Sequence, residues 1–123
     1  MLYSREQNKK SKKALIIDHD KKNYQSIKLL LNKVILDWAN SLDKAKQFLT
    51  VNNDYDFIFL NFILGQKKGI MLIPTIISTN PLAIVVGMTE KLLPEIKIQM
   101  EFAGIKKFLE KPFTLIELNK ALL

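Results

Sequence analysis

Short, mostly apolar segments alternate along this chain with longer segments whose apolar residues recur every three or four positions. Five short segments predict strands, at 14–17, 34–39, around 57–60, 83–88 and 105–109. Apolar runs of this length with turn residues beside them favour buried strands. The run around 57–60 carries no polar residue before Asn61, so we expect it to be a central strand, buried on both faces.

Helical periodicity fills the intervals between these strands. It covers 22–33, a segment from Leu42 after a cap at Asn40 or Ser41, 70–78, 93–103 and the last segment after Thr114. Residues 65–69 are predicted to form a loop, and Pro74 should bend or shorten the third helix because its ring clashes with the preceding turn. Strict alternation of five strands and five helices indicates a parallel sheet with helices on both faces.

Composition and length agree with one globular domain. The chain has 123 residues, 48% hydrophobic and 25% charged, which suits a domain with a core of its own. It has no cysteine, which excludes disulfides and thiolate metal sites. No apolar run approaches the length of a membrane span. We therefore expect a cytoplasmic protein without membrane association.

The first thirteen residues are basic, in a chain whose net charge is +7. Their charged residues are Arg5, Lys9, Lys10, Lys12 and Lys13 against Glu6. We expect 1–13 to be a solvated, disordered tail ahead of a domain covering 14–123. The alternative is an arm that binds nucleic acid. No aromatic residues interleave with these lysines, although base stacking would use them.

Residues that carry chemistry stand where the predicted strands end. These residues are Asp18, His19, Asp20, Asn61, Thr89 and Lys111. In an open parallel sheet, ligands bind beyond the carboxyl ends of the strands. We therefore predict that these side chains meet at one edge of the sheet, although they are far apart along the chain.

Several segments together resemble the receiver domain of bacterial two-component response regulators, the CheY-like family, over residues 14–123. The similar segments are 14–20 and 55–61, then Gly69 eight residues after Asn61, Thr89 22 residues before Lys111, and 108–113. The resemblance implies an α/β, flavodoxin-like three-layer sandwich. Its five-stranded parallel sheet would have the order 2-1-3-4-5 and carry five helices.

Two departures from the family pattern bear on function. In the family, two acids hold Mg²⁺ and an aspartate after the third strand accepts a phosphoryl group, while a hydroxyl and a lysine neutralise its oxygens. Here Asn61 stands in place of the acceptor, and a neutral amide is a poor nucleophile. His19 stands in place of the second acid, and imidazole suits Mg²⁺ less well than carboxylate. The resemblance thus implies a pseudo-receiver, a non-enzymatic signalling module that is not phosphorylated at the usual site.

The pocket residues leave alternatives open. Metal binding through Asp18 and Asp20 is expected to be weak, with no cofactor required. The other interpretations are a metal- or phosphate-responsive receiver that uses these two acids, and a nucleic-acid-associated regulator that uses the basic tail. Lys111 is predicted to form a salt bridge to Asp18 in place of the metal. His19 is predicted to be a partly exposed loop histidine hydrogen-bonded to a neighbouring acid, the alternative being a transition-metal site with Asp18 and Asp20.

The resemblance also implies a protein partner, either a histidine kinase or a downstream effector, and leaves a homodimer open. The expected contact face comprises the fourth helix, the fifth strand and the fifth helix. Its candidate residues are Lys97, Glu101, Lys106, Phe108, Glu117 and Lys120. Phe108 stands at the position of the family's aromatic switch, and a core aromatic without switching is the alternative.

Overall fold

The main sheet has five parallel strands, and across the sheet the second strand of the chain is followed by the first, third, fourth and fifth. The structure is a computed structural model that describes residues 11–123. The strands are β1 (Lys13–Ile17), β2 (Ile35–Ala39), β3 (Phe57–Asn61), β4 (Ile84–Thr89) and β5 (Lys107–Glu110). This order and direction confirm the predicted flavodoxin-like sheet.

Five helices cover the sheet in two layers. They are α1 (Lys21–Leu30), α2 (Leu42–Val51), α3 (Ile73–Thr79), α4 (Pro94–Phe102) and α5 (Leu115–Leu122). Helices α2, α3 and α4 bury apolar side chains in the core on one face of the sheet. Helices α1 and α5 contribute to the core on the other face. Within residues 11–123, no helix is long and apolar enough to cross a membrane.

Strand β3 lies at the centre of the sheet and is buried on both faces, as predicted. Ile58 and Leu60 belong to the core under α2, α3 and α4, whereas Phe59 belongs to the core under α1 and α5. Burial of each such side chain contributes roughly 1.5–3 kcal/mol. Packing on both faces thereby fixes the position of Asn61, the last residue of the strand.

Side-chain caps begin three of the helices. The carboxylate of Asp20 accepts a hydrogen bond from the Lys22 backbone N–H at 2.9 Å. The Ser41 hydroxyl caps α2, and Thr114 forms a capping box with Glu117 at α5. The predicted caps at Ser41 and Thr114 are confirmed. The cap at Asp20 assigns a structural contact to a residue that the sequence places in the pocket.

The segment after β3 corrects the prediction. Within the predicted loop at 65–69, Lys67–Lys68 pairs with Ile63–Leu64 in a short antiparallel hairpin, with Gly65 at φ 63 in its turn. The third helix does not begin at 70, because a 3₁₀ turn (Gly69–Leu72) precedes it. Pro74 lies in the first turn of α3, where its missing N–H has no helical partner to lose. The proline therefore shortens the helix rather than bending it.

Several predicted boundaries also move. The first helix ends at Leu30 rather than at residue 33, because Leu31 leaves the helical region with φ −116 and ψ 64. Gly104, at φ 102, ends the fourth helix as predicted, but β5 begins two residues later than predicted, at Lys107. Strand β1 begins at Lys13, inside the predicted tail. The other basic residues of that tail as far as Lys10 lie outside the described residues.

Candidate functional site

The carboxyl ends of the strands bring the predicted pocket residues together. Asn61 and Thr89 end β3 and β4, while Asp18 and Lys111 directly follow β1 and β5. A cavity of about 320 Å³ opens there, lined by His19, Asp20, Asn61, Ile63, Thr89, Glu90 and Lys111. Asp18 lies beneath this lining and is completely buried.

The Asp18 carboxylate is held by three donors. Oδ2 accepts hydrogen bonds from Lys111 Nζ and from Asn23 Nδ2, each at 2.8 Å. Oδ1 accepts one from the Asp20 backbone N–H at 2.9 Å. A buried carboxylate is costly unless a cation and hydrogen bonds compensate its charge. Lys111 supplies that cation here, so the predicted salt bridge is confirmed.

Backbone hydrogen bonds fix both partners of this salt bridge. The Asp18 N–H donates to the Ala39 carbonyl at 3.0 Å, and the Trp38 indole N–H donates to the Asp18 carbonyl at 2.8 Å. On the other side, the Lys111 N–H donates to the Thr89 carbonyl at 2.8 Å. The hydrogen bonds to neighbouring strands therefore fix the distance between the backbones of Asp18 and Lys111.

Asn61 and Thr89 both direct hydrogen bonds into their own loops. Asn61 Nδ2 donates to the Ile63 carbonyl at 2.6 Å, and the Thr89 hydroxyl donates a long bond of 3.3 Å to the Lys91 carbonyl. Gly69 lies directly against the Asn61 backbone, where a Cβ would collide with the Asn61 carbonyl oxygen. Only a glycine fits at that position, which gives a steric reason for the residue predicted from the resemblance.

His19 and Asp20 stand at the cavity without forming a metal centre with Asp18. His19 Nδ1 lies 3.7 Å from Asp18 Oδ1, which is too long for a hydrogen bond. The expected bond from His19 to a neighbouring acid is therefore wrong for Asp18, although the side chain is exposed. Among residues 11–123, no group of three or more His, Asp or Glu side chains is arranged to hold a metal ion.

The profile of the response regulator receiver domain matches residues 14–123. The chain belongs to this family. No curated protein sequence matches it. A two-component response regulator from Clostridium difficile is similar, with 30% identity and a TM-score of 0.80 over 89% of this chain and 91% of that one.

Two further solved structures are similar in fold. The first is a response regulator from Burkholderia pseudomallei, solved with a phosphorylated aspartic acid, a calcium ion and citrate. It has a TM-score of 0.82 at 22% identity, over 92% of this chain and 67% of that one. The chemotaxis protein CheY4 of Vibrio cholerae has a TM-score of 0.81 at 20% identity, over 91% and 96%. Receiver domains are signalling modules that interact with histidine kinases and effectors, and they are in general not enzymes.

The predicted contact residues of the receiver domain lie on α4, β5 and α5, apart from Lys106, which directly precedes β5. Phe108 is half-buried in β5 against the core, and Lys97 Nζ lies 5.7 Å from the centre of its ring. Glu117 is exposed, but its carboxylate accepts the Thr114 N–H as part of the cap of α5. The remaining candidates are all exposed: Lys97, Glu101, Lys106 and Lys120.

Sequence reasoning missed two residues that support the receiver pocket. Asn23 donates to Asp18, and its signal was a polar residue on the inward stripe of α1, four positions before Ile27. Trp38 donates to the Asp18 carbonyl from a strand on the other side of β1. Trp38 lies twenty residues from Asp18 along the chain, so no local pattern in the sequence predicts this hydrogen bond. Only the register of β1 with β2, which pairs Ile16 with Trp38, brings it there.

Proposed function

We propose that this chain is a receiver domain that signals through protein contacts and is not phosphorylated at Asn61. The observation that carries the proposal is the amide at the end of β3, where the family places its acceptor aspartate. Phosphoryl transfer needs a carboxylate oxygen to attack phosphorus while the leaving group departs. An amide offers no anionic oxygen for that attack.

The salt bridge between Asp18 and Lys111 supports the same proposal. In a receiver that uses Mg²⁺, acids after β1 would hold the metal, and a lysine would remain to neutralise phosphoryl oxygens. Here Lys111 Nζ bonds directly to Asp18 Oδ2 at 2.8 Å. We infer that this ion pair takes the electrostatic place of the metal. Magnesium binding would have to break it, which makes metal affinity weak.

The remaining acid does not favour a metal-responsive alternative. Asp20 is exposed and its carboxylate caps α1 through the Lys22 N–H. Bringing it onto a metal would cost that cap, typically about 1 kcal/mol. We therefore expect titration calorimetry to detect no Mg²⁺ binding at millimolar metal. Binding that disappears in Asp18→Asn would contradict this expectation.

Contact with a partner, either a histidine kinase or a downstream effector, would use the face formed by α4, β5 and α5. On this face Lys97 Nζ lies 5.7 Å from the centre of the half-buried Phe108 ring, and Glu101 is exposed on the same helix as Lys97. Mixed charges around an aromatic side chain suit a specific protein contact, because charge sets register and the ring supplies apolar area. A second copy of this chain, forming a homodimer, is one partner that could use the same face.

The test is incubation of the full chain with acetyl phosphate and Mg²⁺, followed by intact-mass measurement. We expect no added phosphoryl group in the wild type. The matched control is the double variant Asn61→Asp with His19→Asp, which restores the acceptor and the second acid and should gain one phosphoryl group as acetate leaves. A phosphoryl group on the wild type that is lost in Asn61→Ala, in Asp18→Asn or in Asp20→Asn would overturn the proposal.

A further inference from the structure

A wide groove runs between α1 and the edge strand β2, outside the receiver pocket. Its volume is about 870 Å³. Its apolar lining includes Tyr24, Leu31, Val34 and Leu36, which belong to or pack against the core under α1 and α5. Leu29 also lines it, and 82% of its surface is exposed although it is one of the larger apolar side chains. Within residues 11–123, no neighbouring side chain covers most of Leu29.

The charged residue that lines the groove is a lysine, Lys28. Residues 21–36 contain four lysines and no acidic residue. These lysines are all exposed: Lys21, Lys22, Lys28 and Lys33. The acids that flank the segment are engaged elsewhere, because Asp20 caps α1 and Asp37 accepts the Tyr55 hydroxyl at 2.6 Å. The groove therefore combines an apolar floor with a lysine in its lining, within a segment whose charged residues are all lysines.

We propose that this groove binds an acidic amphipathic helix of a partner protein. Such a helix would lay its apolar face on Leu29, Val34 and Leu36 and direct its carboxylates to the lysines. A groove of this kind binds apolar side chains that recur every three or four residues along a helix. Complementary charge selects the partner and its orientation. A small ligand fits less well because sites for small molecules bury most of the ligand. Here several lining side chains are themselves open to solvent.

The groove and the predicted contact face lie at opposite edges of the sheet. The groove borders β2, whereas the contact face includes β5. One partner at each edge would not compete for the same residues. The inference therefore adds a second docking surface to the proposed function and stands independently of whether Asn61 accepts a phosphoryl group.

A stacked pair of rings links the groove to the receiver pocket. Tyr24 lines the groove and stacks on Trp38, with ring centres 5.3 Å apart and planes 9° from parallel. The Trp38 indole N–H in turn donates to the Asp18 carbonyl. Since Trp38 is the only tryptophan of the chain, its fluorescence reports on the occupation of this groove.

The experiment titrates the full chain with a synthetic amphipathic helical peptide that has leucines on one face and glutamates on the other. We expect a saturable change in Trp38 emission and amide NMR shifts concentrated in residues 24–36. A peptide with lysines in place of the glutamates should bind at least about tenfold more weakly. Raising the salt concentration should weaken binding of the acidic peptide, because exposed charges are screened.

Paired variants distinguish binding in this groove from non-specific binding of the peptide to the protein surface. Leu29→Ser and Lys28→Glu should each weaken binding about tenfold, as expected for central anchors. The controls are Leu82→Ser and Lys46→Glu, which change exposed residues of the same kinds outside the groove and outside the predicted contact face and should keep the wild-type affinity. Circular dichroism verifies that each variant is folded.

Three results would overturn the proposal. They are no saturable binding at millimolar peptide, equal affinity for the lysine peptide, and equal losses in the control variants. A separate arm uses vesicles of anionic phospholipid. Binding to vesicles that depends on Leu29 and Lys28, without binding to the peptide, would assign the groove to a membrane surface instead.

Discussion

Two polar clusters lie at opposite ends of β3, and they use the same kind of side chain differently. At the amino end, Asn80 accepts the Tyr55 N–H at 3.0 Å through Oδ1 and donates to the Asn52 carbonyl at 2.9 Å through Nδ2. At the carboxyl end, Asn61 donates to the Ile63 carbonyl, but within residues 11–123 its Oδ1 accepts no hydrogen bond. Both polar atoms of the Asn80 amide form hydrogen bonds. Asn61 lines a cavity, and its Oδ1 accepts no hydrogen bond from residues 11–123.

The clusters also differ in charge. The carboxyl-end cluster contains a nearly buried ion pair, since Asp18 is fully buried and 14% of the Lys111 side chain is exposed. The amino-end cluster also carries charges, but they are more exposed: Lys13 Nζ lies 3.1 Å from Asp54 Oδ1, and 62% of the Asp54 side chain is exposed. Asp37 accepts the Tyr55 hydroxyl there. Buried polar residues therefore do not by themselves mark a functional site in this fold. Charge held under a cavity, together with unused hydrogen-bonding capacity, distinguishes the site from the cluster that joins two loops.

The largest expected effect comes from removing the cation of the carboxyl-end cluster. Lys111→Met leaves the Asp18 carboxylate buried with only Asn23 and the Asp20 N–H as donors. Loss of one partner of a buried pair typically costs about 3 kcal/mol of unfolding free energy or more. Urea denaturation followed by circular dichroism measures the change.

A double variant distinguishes an uncompensated charge from lost packing. Asp18→Asn combined with Lys111→Met removes both charges, so it should be more stable than Lys111→Met alone. Lys120→Met, at an exposed lysine on α5, is the matched control and should stay within about 0.5 kcal/mol of the wild type. A loss below about 1 kcal/mol in Lys111→Met would mean that Asp18 does not depend on this lysine.

A smaller effect is expected at the amino end. Asn80→Ala removes the partners of the Tyr55 N–H and the Asn52 carbonyl at once. Leaving buried polar groups unpaired should cost about 2 kcal/mol in total, measured by the same denaturation. Asn80→Asp is the matched variant, because it keeps an acceptor for Tyr55 but cannot donate to Asn52. Because its buried carboxylate would face the Asn52 carbonyl oxygen, it should lose at least as much stability as Asn80→Ala. An effect of Asn80→Ala as large as that of Lys111→Met would remove the distinction between the clusters.

The sequence predicts the carboxyl-end cluster far better than the amino-end one. Asp18, Asn61, Thr89 and Lys111 could be predicted to meet, because the ends of parallel strands converge at one edge of a sheet. The ion pair between Asp18 and Lys111 followed from the chemistry of the two side chains once they were neighbours. No such rule applies to Asn80. It lies in a turn, and its partners Tyr55 and Asn52 come from the loop between α2 and β3, whose position relative to that turn depends on the whole fold.

The same limit explains the errors near the pocket. The hairpin that includes Lys67–Lys68 was not predicted, because two-residue strands are too short to produce a periodic pattern. Pro74 was placed inside a helix because the apolar pattern of residues 70–78 continues through the 3₁₀ turn into α3. Patterns that recur over many residues predict the five strands and five helices, and single residues such as Ser41 and Gly104 mark helix ends, whereas the short hairpin leaves no pattern in the sequence.

The smallest expected effect is a pH dependence at the amino end of β3. Burial, the hydrogen bond to Asp37 and the negative charges of Asp37 and Asp54 together raise the pKa of Tyr55 above its ordinary value of 10.0. Above pH 10 the unfolded chain loses this phenolic proton while the folded chain keeps it. The folded state then binds more protons, so unfolding free energy falls as pH rises. Below pH 10 both states hold the proton, and this contribution does not change with pH.

Tyr55→Phe should therefore cost about 1 kcal/mol near neutral pH, through the lost hydrogen bond to Asp37. Its stability should also fall less steeply than that of the wild type above pH 10, by at most about 1.4 kcal/mol per pH unit. Urea denaturation from pH 9 upward measures the difference between the two proteins, in which the lysines common to both cancel. Asp37→Asn should retain part of the slope, because burial is the largest cause of the raised pKa and remains. Equal slopes in wild type and Tyr55→Phe would mean that the hydroxyl ionises as readily in the folded chain as in the unfolded one. The amino-end cluster would then be open to solvent, and its contrast with the pair of Asp18 and Lys111 would rest on the burial of charge.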